Sequence, residues 1–172
     1  MQPPARPGPG QESVWDYPRP PRLEAARRRV RISAGSGADA VVLADVDPAA
    51  ALAWRVLETS HPPTYYVARD ALDARLLAPA QGSSWCEFKG RADYVDVLDA
   101  DGHLLVAQAG WTYPRPTPDY AALAGAVAFY PGRVQCLLDD EAVCTQAGGF
   151  YGGWITADLI GPFKGEAGTL GW

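Results

Sequence analysis

Arg91-Ala92-Asp93-Tyr94-Val95-Asp96-Val97-Leu98-Asp99-Ala100-Asp101-Gly102-His103-Leu104-Leu105-Val106-Ala107-Gln108-Ala109 is the stretch from which the fold class follows. Residues 91–98 and 103–109 read as strands, and Asp99-Ala100-Asp101-Gly102 between them has the composition of a tight turn. Together they predict an antiparallel hairpin. A further strand is expected just upstream, over 84–88. Downstream, 126–130, 134–138 and 141–144 read the same way.

Nearer the N-terminus, 30–33 and 40–45 read as strands joined by Ala34-Gly35-Ser36-Gly37. Segments 55–58 and 64–67 look extended on either side of the rigid Pro62-Pro63 corner. Helices are expected to be few and short. Asp47-Pro48 starts a single turn, Asp70 caps a helix over 71–77 that carries Leu72, Leu76 and Leu77 on one face, and Thr117-Pro118 opens another that stops at Gly125. The prediction is a mainly β protein of short antiparallel strands with two short helices.

With 172 residues the chain suits one domain with a substantial core. Seven of its sixteen prolines fall within the first 21 residues, so 1–12 is expected to be a disordered tail and 13–172 the β domain. That domain ends in a Gly/aromatic extension beyond Gln146. Trp15 and Tyr17 are expected to lie on the domain as a strap, a surface suited to a homodimer interface.

A net charge of −5 argues against nucleic acid as a partner. Arg27-Arg28-Arg29-Val30-Arg31 is then most simply a solvated strand entry. No apolar run follows Met1 or reaches the length of a bilayer, so no membrane partner is expected. Three cysteines without regular spacing make no disulfide framework. A reduced, cytoplasmic protein is the expectation.

Two clusters combine reactive groups with large rings. Glu58-Thr59-Ser60-His61-Pro62-Pro63-Thr64-Tyr65-Tyr66 surrounds a proline corner with a carboxylate, hydroxyls, an imidazole and phenols. Trp85-Cys86-Glu87-Phe88-Lys89-Gly90 sets a thiol, a carboxylate and an ammonium among aromatics. Such mixtures suit a small-molecule pocket. The candidate ligand-binding residues are Glu58, His61, Tyr65, Trp85, Cys86, Glu87, Lys89, Trp111 and Tyr113. Lys89 and Lys164, the only two lysines, both sit in Phe-Lys-Gly triads that suit contacts to an anion.

The ligand is expected to be small and anionic. In an enzymatic alternative Glu58 or His61 is the base and Cys86 the nucleophile. The structural readings are that His61 fixes its own turn, Cys86 is an inert packed thiol, and the lysine stems lie along phenylalanine rings. The potential zinc ligands Cys86, Cys136, Cys144, His61 and His103 lack metal-site spacing, so neither metal nor cofactor is expected. Gly35-Ser36 followed by Asp45-Val46-Asp47 mimics a two-metal nucleotidyltransferase order. A hairpin turn followed by an N-cap explains the same residues.

These boxes resemble the bacterial domain-of-unknown-function family 427. The resemblance runs through Trp85-Cys86-Glu87-Phe88-Lys89-Gly90, Tyr94, Ala109-Gly110-Trp111-Thr112-Tyr113-Pro114-Arg115-Pro116 and Val127-Ala128-Phe129-Tyr130. Longer members are similar also over Glu12-Ser13-Val14-Trp15-Asp16-Tyr17-Pro18-Arg19-Pro20, the segment 58–66 and Gly171-Trp172. The resemblance implies a single-domain β-tent (Mss4-like) fold, related in shape to methionine sulfoxide reductase B. The paired zinc cysteines of those relatives have no counterpart here. It also brings a nucleotidyltransferase-like label.

Overall fold

The computed structural model describes residues 5–172. Its strands are β1 (Glu12–Ser13), β2 (Arg22–Ala25), β3 (Val30–Ala34), β4 (Val41–Val46), β5 (Ala53–Leu57), β6 (Thr64–Val67), β7 (Leu77–Cys86) and β8 (Gly90–Leu98). They continue as β9 (Leu104–Thr112), β10 (Val127–Phe129), β11 (Gln135–Leu138), β12 (Glu141–Ala142), β13 (Cys144–Thr145), β14 (Trp154–Ile155) and β15 (Leu159–Ile160). One open sheet runs β2-β5-β6-β10-β9-β8-β7, and a smaller one runs β12-β11-β3-β4. All pairings within both are antiparallel. The protein is mainly β, as the hairpin pattern predicts.

That central hairpin is set by Asp99, whose Oδ1 accepts the backbone N–H groups of Asp101 and His103, each at 2.9 Å. Gly102, at φ 87°, supplies the left-handed position that a side chain would resist. Further along, Asp96 accepts the N–H of Gln108, itself at φ 46°, where the β8–β9 register shifts. This bulge lets β9 continue to Thr112, three residues past its expected end.

Successive residues of a strand face opposite sides, and the large sheet uses both. On one side Tyr65, Val67, Val97, Val127 and Phe129 pack against Val30, Ile32 and Leu138 of the small sheet. Full burial of a side chain such as Phe129 stabilises by about 2 kcal/mol. On the other side Tyr66, Trp111, Tyr113, Ala128 and Tyr130 form a second, aromatic cluster. The small sheet does not cover this second face.

The structure differs from several expectations. The helix over 71–77 is two 3₁₀ turns, Arg69–Ala71 and Ala74–Leu76. Asp73 caps the second by accepting the N–H of Arg75 at 3.1 Å, which stops a continuous helix. Leu72 and Leu76 are still buried, but Leu77 opens β7 opposite Val97. The helix opening at Thr117-Pro118 is the 3₁₀ segment Pro118–Leu123, kinked at Tyr120. Thr117 does not cap it; its hydroxyl donates to the Phe88 carbonyl.

The strand expected over 84–88 is instead Leu77–Cys86, because 87–89 form the turn into β8. Of the expected tail 1–12, residues 1–4 lie outside the described residues. Glu12 at its end is structural: it pairs in parallel with Leu159 and binds the buried Arg55.

Candidate functional site

A cavity of about 450 Å³ lies on the aromatic face of the large sheet. Its walls come from the β5–β6 connection, the β7–β8 turn, the backs of β6, β8 and β9, and Gln146, Phe150, Tyr151 and Gly152 with Lys164 and Trp172.

The β7–β8 turn is built by Cys86 pairing with Gly90 across Glu87-Phe88-Lys89. Gly90 stands at φ 98°, as a three-residue hairpin loop with a bulge requires. Thr117 locks the turn from outside, donating its hydroxyl to Phe88 O at 2.5 Å and its N–H to Lys89 O at 3.1 Å. Lys89 is therefore turned inward and is only 6 % exposed. Its Nζ lies 5.9 Å from the Tyr113 ring centroid and 5.6 Å from that of Tyr120. Among the described residues no carboxylate comes within 4.0 Å of it. Cys86 is half-buried beneath, while Trp85, 75 % exposed, stands at the rim.

On the facing wall a turn from Glu58 O to His61 N–H, 3.0 Å, turns the chain into the proline corner. Ser60 takes φ 70° within it, held by its N–H on Val14 O and its carbonyl under Lys164 N–H. His61 Nδ1 donates to Thr59 O at 3.0 Å, and the ring meets Tyr151 edge-on at 5.3 Å. Burial holds the His61 pKa below its ordinary value, against the pull of the Glu58 carboxylate. Glu58 itself binds Arg19 at 2.9 Å.

The floor is aromatic. Trp111 Nε1 donates to the Tyr66 hydroxyl at 3.2 Å, and its ring lies 4.7 Å from Tyr130. Burial raises the Tyr66 and Tyr113 phenols far above their ordinary range, so both are neutral donors and acceptors. Gly152 lies flat on Trp111; a Cβ there would stand 2.2 Å from Cη2 of the indole. Gln146, buried, ties this wall together by donating to Lys164 O at 2.6 Å and accepting from Gly153 N–H at 3.0 Å. Lys164 Nζ donates to Trp172 O at 2.8 Å above the Tyr151 ring.

Of the residues singled out by sequence, Glu58, His61, Trp85, Cys86, Glu87, Lys89, Trp111 and Tyr113 all border this cavity. Tyr65 does not. Strand alternation turns it to the opposite face, where it stacks on Trp154 at 4.8 Å within the core, and Tyr66 takes its place. Gln146 carried no signal in the sequence, and Phe150 and Tyr151 belong to the Gly/aromatic extension, which the sequence did not tie to this cavity.

The zinc-type ligands do not gather. Cys136 is buried in the core, and Cys144 and His103 are exposed elsewhere. Neither Asp45 nor Asp47 borders the cavity. Asp45 is gripped by Arg29 at 2.6 and 2.7 Å, and Asp47 caps Pro48–Ala50 through Ala49 N–H at 2.8 Å. The turn-and-cap reading of these residues is the observed one.

No curated protein was found to match the chain. Residues 22–140, from the start of β2 to the turn after β11, match the model of a family described as a domain of unknown function. That segment contains the proline corner, the β7–β8 turn and Trp111, and leaves outside it the wall made by Gln146 to Trp172. The chain belongs to the DUF427 family.

Proposed function

We propose that the cavity binds a small aromatic anion, with the acid on Lys89 and the ring against Trp111 and Tyr113. Lys89 carries this reading: a buried lysine on the cavity wall whose Nζ stands beside the Tyr113 and Tyr120 rings and has no carboxylate within 4.0 Å among the described residues. Removing such a charge from water is costly unless something neutralises it, and rings compensate only in part. A ligand acid would supply the missing partner. Glu58 and His61 then orient its polar edge, and the exposed indole of Trp85 closes over it.

The test compares trans-cinnamate with the uncharged cinnamyl alcohol by calorimetric titration of the wild type and Lys89→Met. The variant is expected to lose about ten- to hundredfold in cinnamate affinity, as the loss of a charged hydrogen bond implies, and to bind the alcohol as before. Equal cinnamate affinity in both proteins would remove the proposal.

Cys86 in the same cavity supports a second, enzymatic reading with the thiol as nucleophile, in which His61 or Glu58, on the facing wall, acts as base on the substrate and not on the thiol. It requires Cys86 to alkylate faster at neutral pH than an ordinary thiol, whose pKa is about 8.5. A rate that follows that ordinary titration counts against it.

A further inference from the structure

His61 and Lys89 stand on opposite walls. One lies in the connection between β5 and β6, the other in the turn between β7 and β8. Along the order β6-β10-β9-β8 these are three strand steps apart. That is on the order of 14 Å across the strands alone, and since β6 and β8 run in opposite directions, their N-terminal ends are offset along the strands as well. Both nevertheless border the one cavity.

The hydrogen state of His61 follows from its partner. A carbonyl only accepts, so Thr59 O at 3.0 Å places the ring proton on Nδ1. In the neutral ring Nε2 is then a lone-pair acceptor, and it has no protein partner among the described residues. The ring's orientation is set by the Nδ1 hydrogen bond to Thr59 O, and Tyr151 packs edge-on against it. The charged groups around it are Glu58 on its own loop, Arg19 from the N-terminal segment and Lys164 from the C-terminal one. Two cations and burial, against one carboxylate, favour the neutral ring.

We infer that the occupant is an elongated aromatic acid bearing an O–H or N–H donor at the end remote from its acid, and that His61 Nε2 accepts from that donor while Lys89 holds the acid. This rests on the binding reading above and adds the second pole of the ligand. His61 is then a specificity-determining residue. A ligand with an ether oxygen in place of the hydroxyl sets lone pair against lone pair and leaves the imidazole unsatisfied.

The full chain is titrated calorimetrically with trans-cinnamate, 4-hydroxycinnamate and 4-methoxycinnamate near neutral pH. The hydroxyl compound is expected to bind about tenfold more tightly than the ether, the worth of one buried hydrogen bond. His61→Asn keeps a donor where Nδ1 meets Thr59 and removes the Nε2 acceptor, so it should equalise the two. Equal affinities in the wild type, or a preference that survives His61→Asn, overturn the inference. In either case cinnamate binding that depends on Lys89 leaves the binding reading standing. No heat with any of the three overturns both.

Discussion

Arg55 and Glu12 are joined by two hydrogen bonds, Nη1 to Oε2 at 2.8 Å and Nη2 to Oε1 at 3.0 Å, although 43 positions separate them. Arg55 is 6 % exposed on β5, so its charge depends on this carboxylate and on Glu24, 2.5 Å away. The pair pins the N-terminal segment to the sheet. Arg55 holds the Glu12 carboxyl below its ordinary value against the opposing effect of burial. A lowered folded pKa gives stability that is present above the unfolded value, about 4.5, and is lost as pH falls through the folded one. Arg55→Met should cost about 3 kcal/mol at neutral pH, because Glu12 and Glu24 lose their buried cation and keep only the exposed Arg27 and Arg22. Urea unfolding midpoints measure it, and the gap between the two proteins should narrow in acid. A neutral-pH midpoint equal to that of the wild type would show that the pair is not holding the segment.

His61 gives a pH dependence of the same direction for another reason. Burial lowers its pKa, so the unfolded chain takes up a proton first as the pH drops below about 6.5. Stability should therefore fall from neutral pH toward pH about 5, and His61→Asn should flatten that part of the curve. Thermal midpoints across this range check the slope; an unchanged slope in the variant assigns it to other groups.

Tyr65 and Tyr66 are neighbours with opposite destinies. Tyr66→Phe leaves the buried Trp111 Nε1 without its acceptor and should cost about 1–3 kcal/mol while disturbing the cavity floor. Tyr65→Phe lies on the other face, and its effect should appear in stability without any change in cinnamate affinity. Binding that responded to Tyr65 and not to Tyr66 would reverse the assignment of faces.

Gly152→Ala should be among the most disruptive small changes, because its Cβ would meet the Trp111 indole at 2.2 Å. Overpacking of this kind costs about 1–3 kcal/mol and here displaces the ring that floors the cavity. Trp fluorescence and the melting point should shift together. A variant with native emission and native melting would mean that the 146–152 wall yields freely.

The three cysteines report on the cavity without mutation. Cys144 is exposed and should alkylate first. Cys136 is buried, with its thiol pushed up to about 12 by desolvation, and should react only on unfolding. Cys86 borders the cavity, so cinnamate should slow its alkylation and leave Cys144 unaffected. Peptide mass spectrometry separates the sites, and equal protection of both thiols would point to a nonspecific effect.

Local chemistry is what the linear chain carried legibly. Asp99-Ala100-Asp101-Gly102 between two strand-like runs specified a hairpin, because an Asx side chain and a left-handed glycine act within four residues. The crowding of polar groups with rings marked Glu58, His61, Trp85, Cys86, Lys89, Trp111 and Tyr113 for the same reason, and all of them border one cavity. Helix boundaries were less legible, since Asp73 and Asp70 are equivalent caps until β7 claims Leu77. Glu12 looked like part of a proline-rich tail because its partner, Arg55, lies on a distant strand.

Which face each residue joins, and what completes the site, needed the assembled sheet. A one-residue step exchanges the core for the cavity at Tyr65 and Tyr66, and no composition rule chooses between two adjacent tyrosines. The wall from Gln146 to Trp172 arrives from far along the chain and is held by contacts such as Gln146 to Lys164 O, which local propensity does not encode. The amino-acid order alone thus determined a β protein with a reactive aromatic neighbourhood. Only long-range strand pairing and packing made that neighbourhood a cavity with a cation on one wall and an imidazole acceptor on the other.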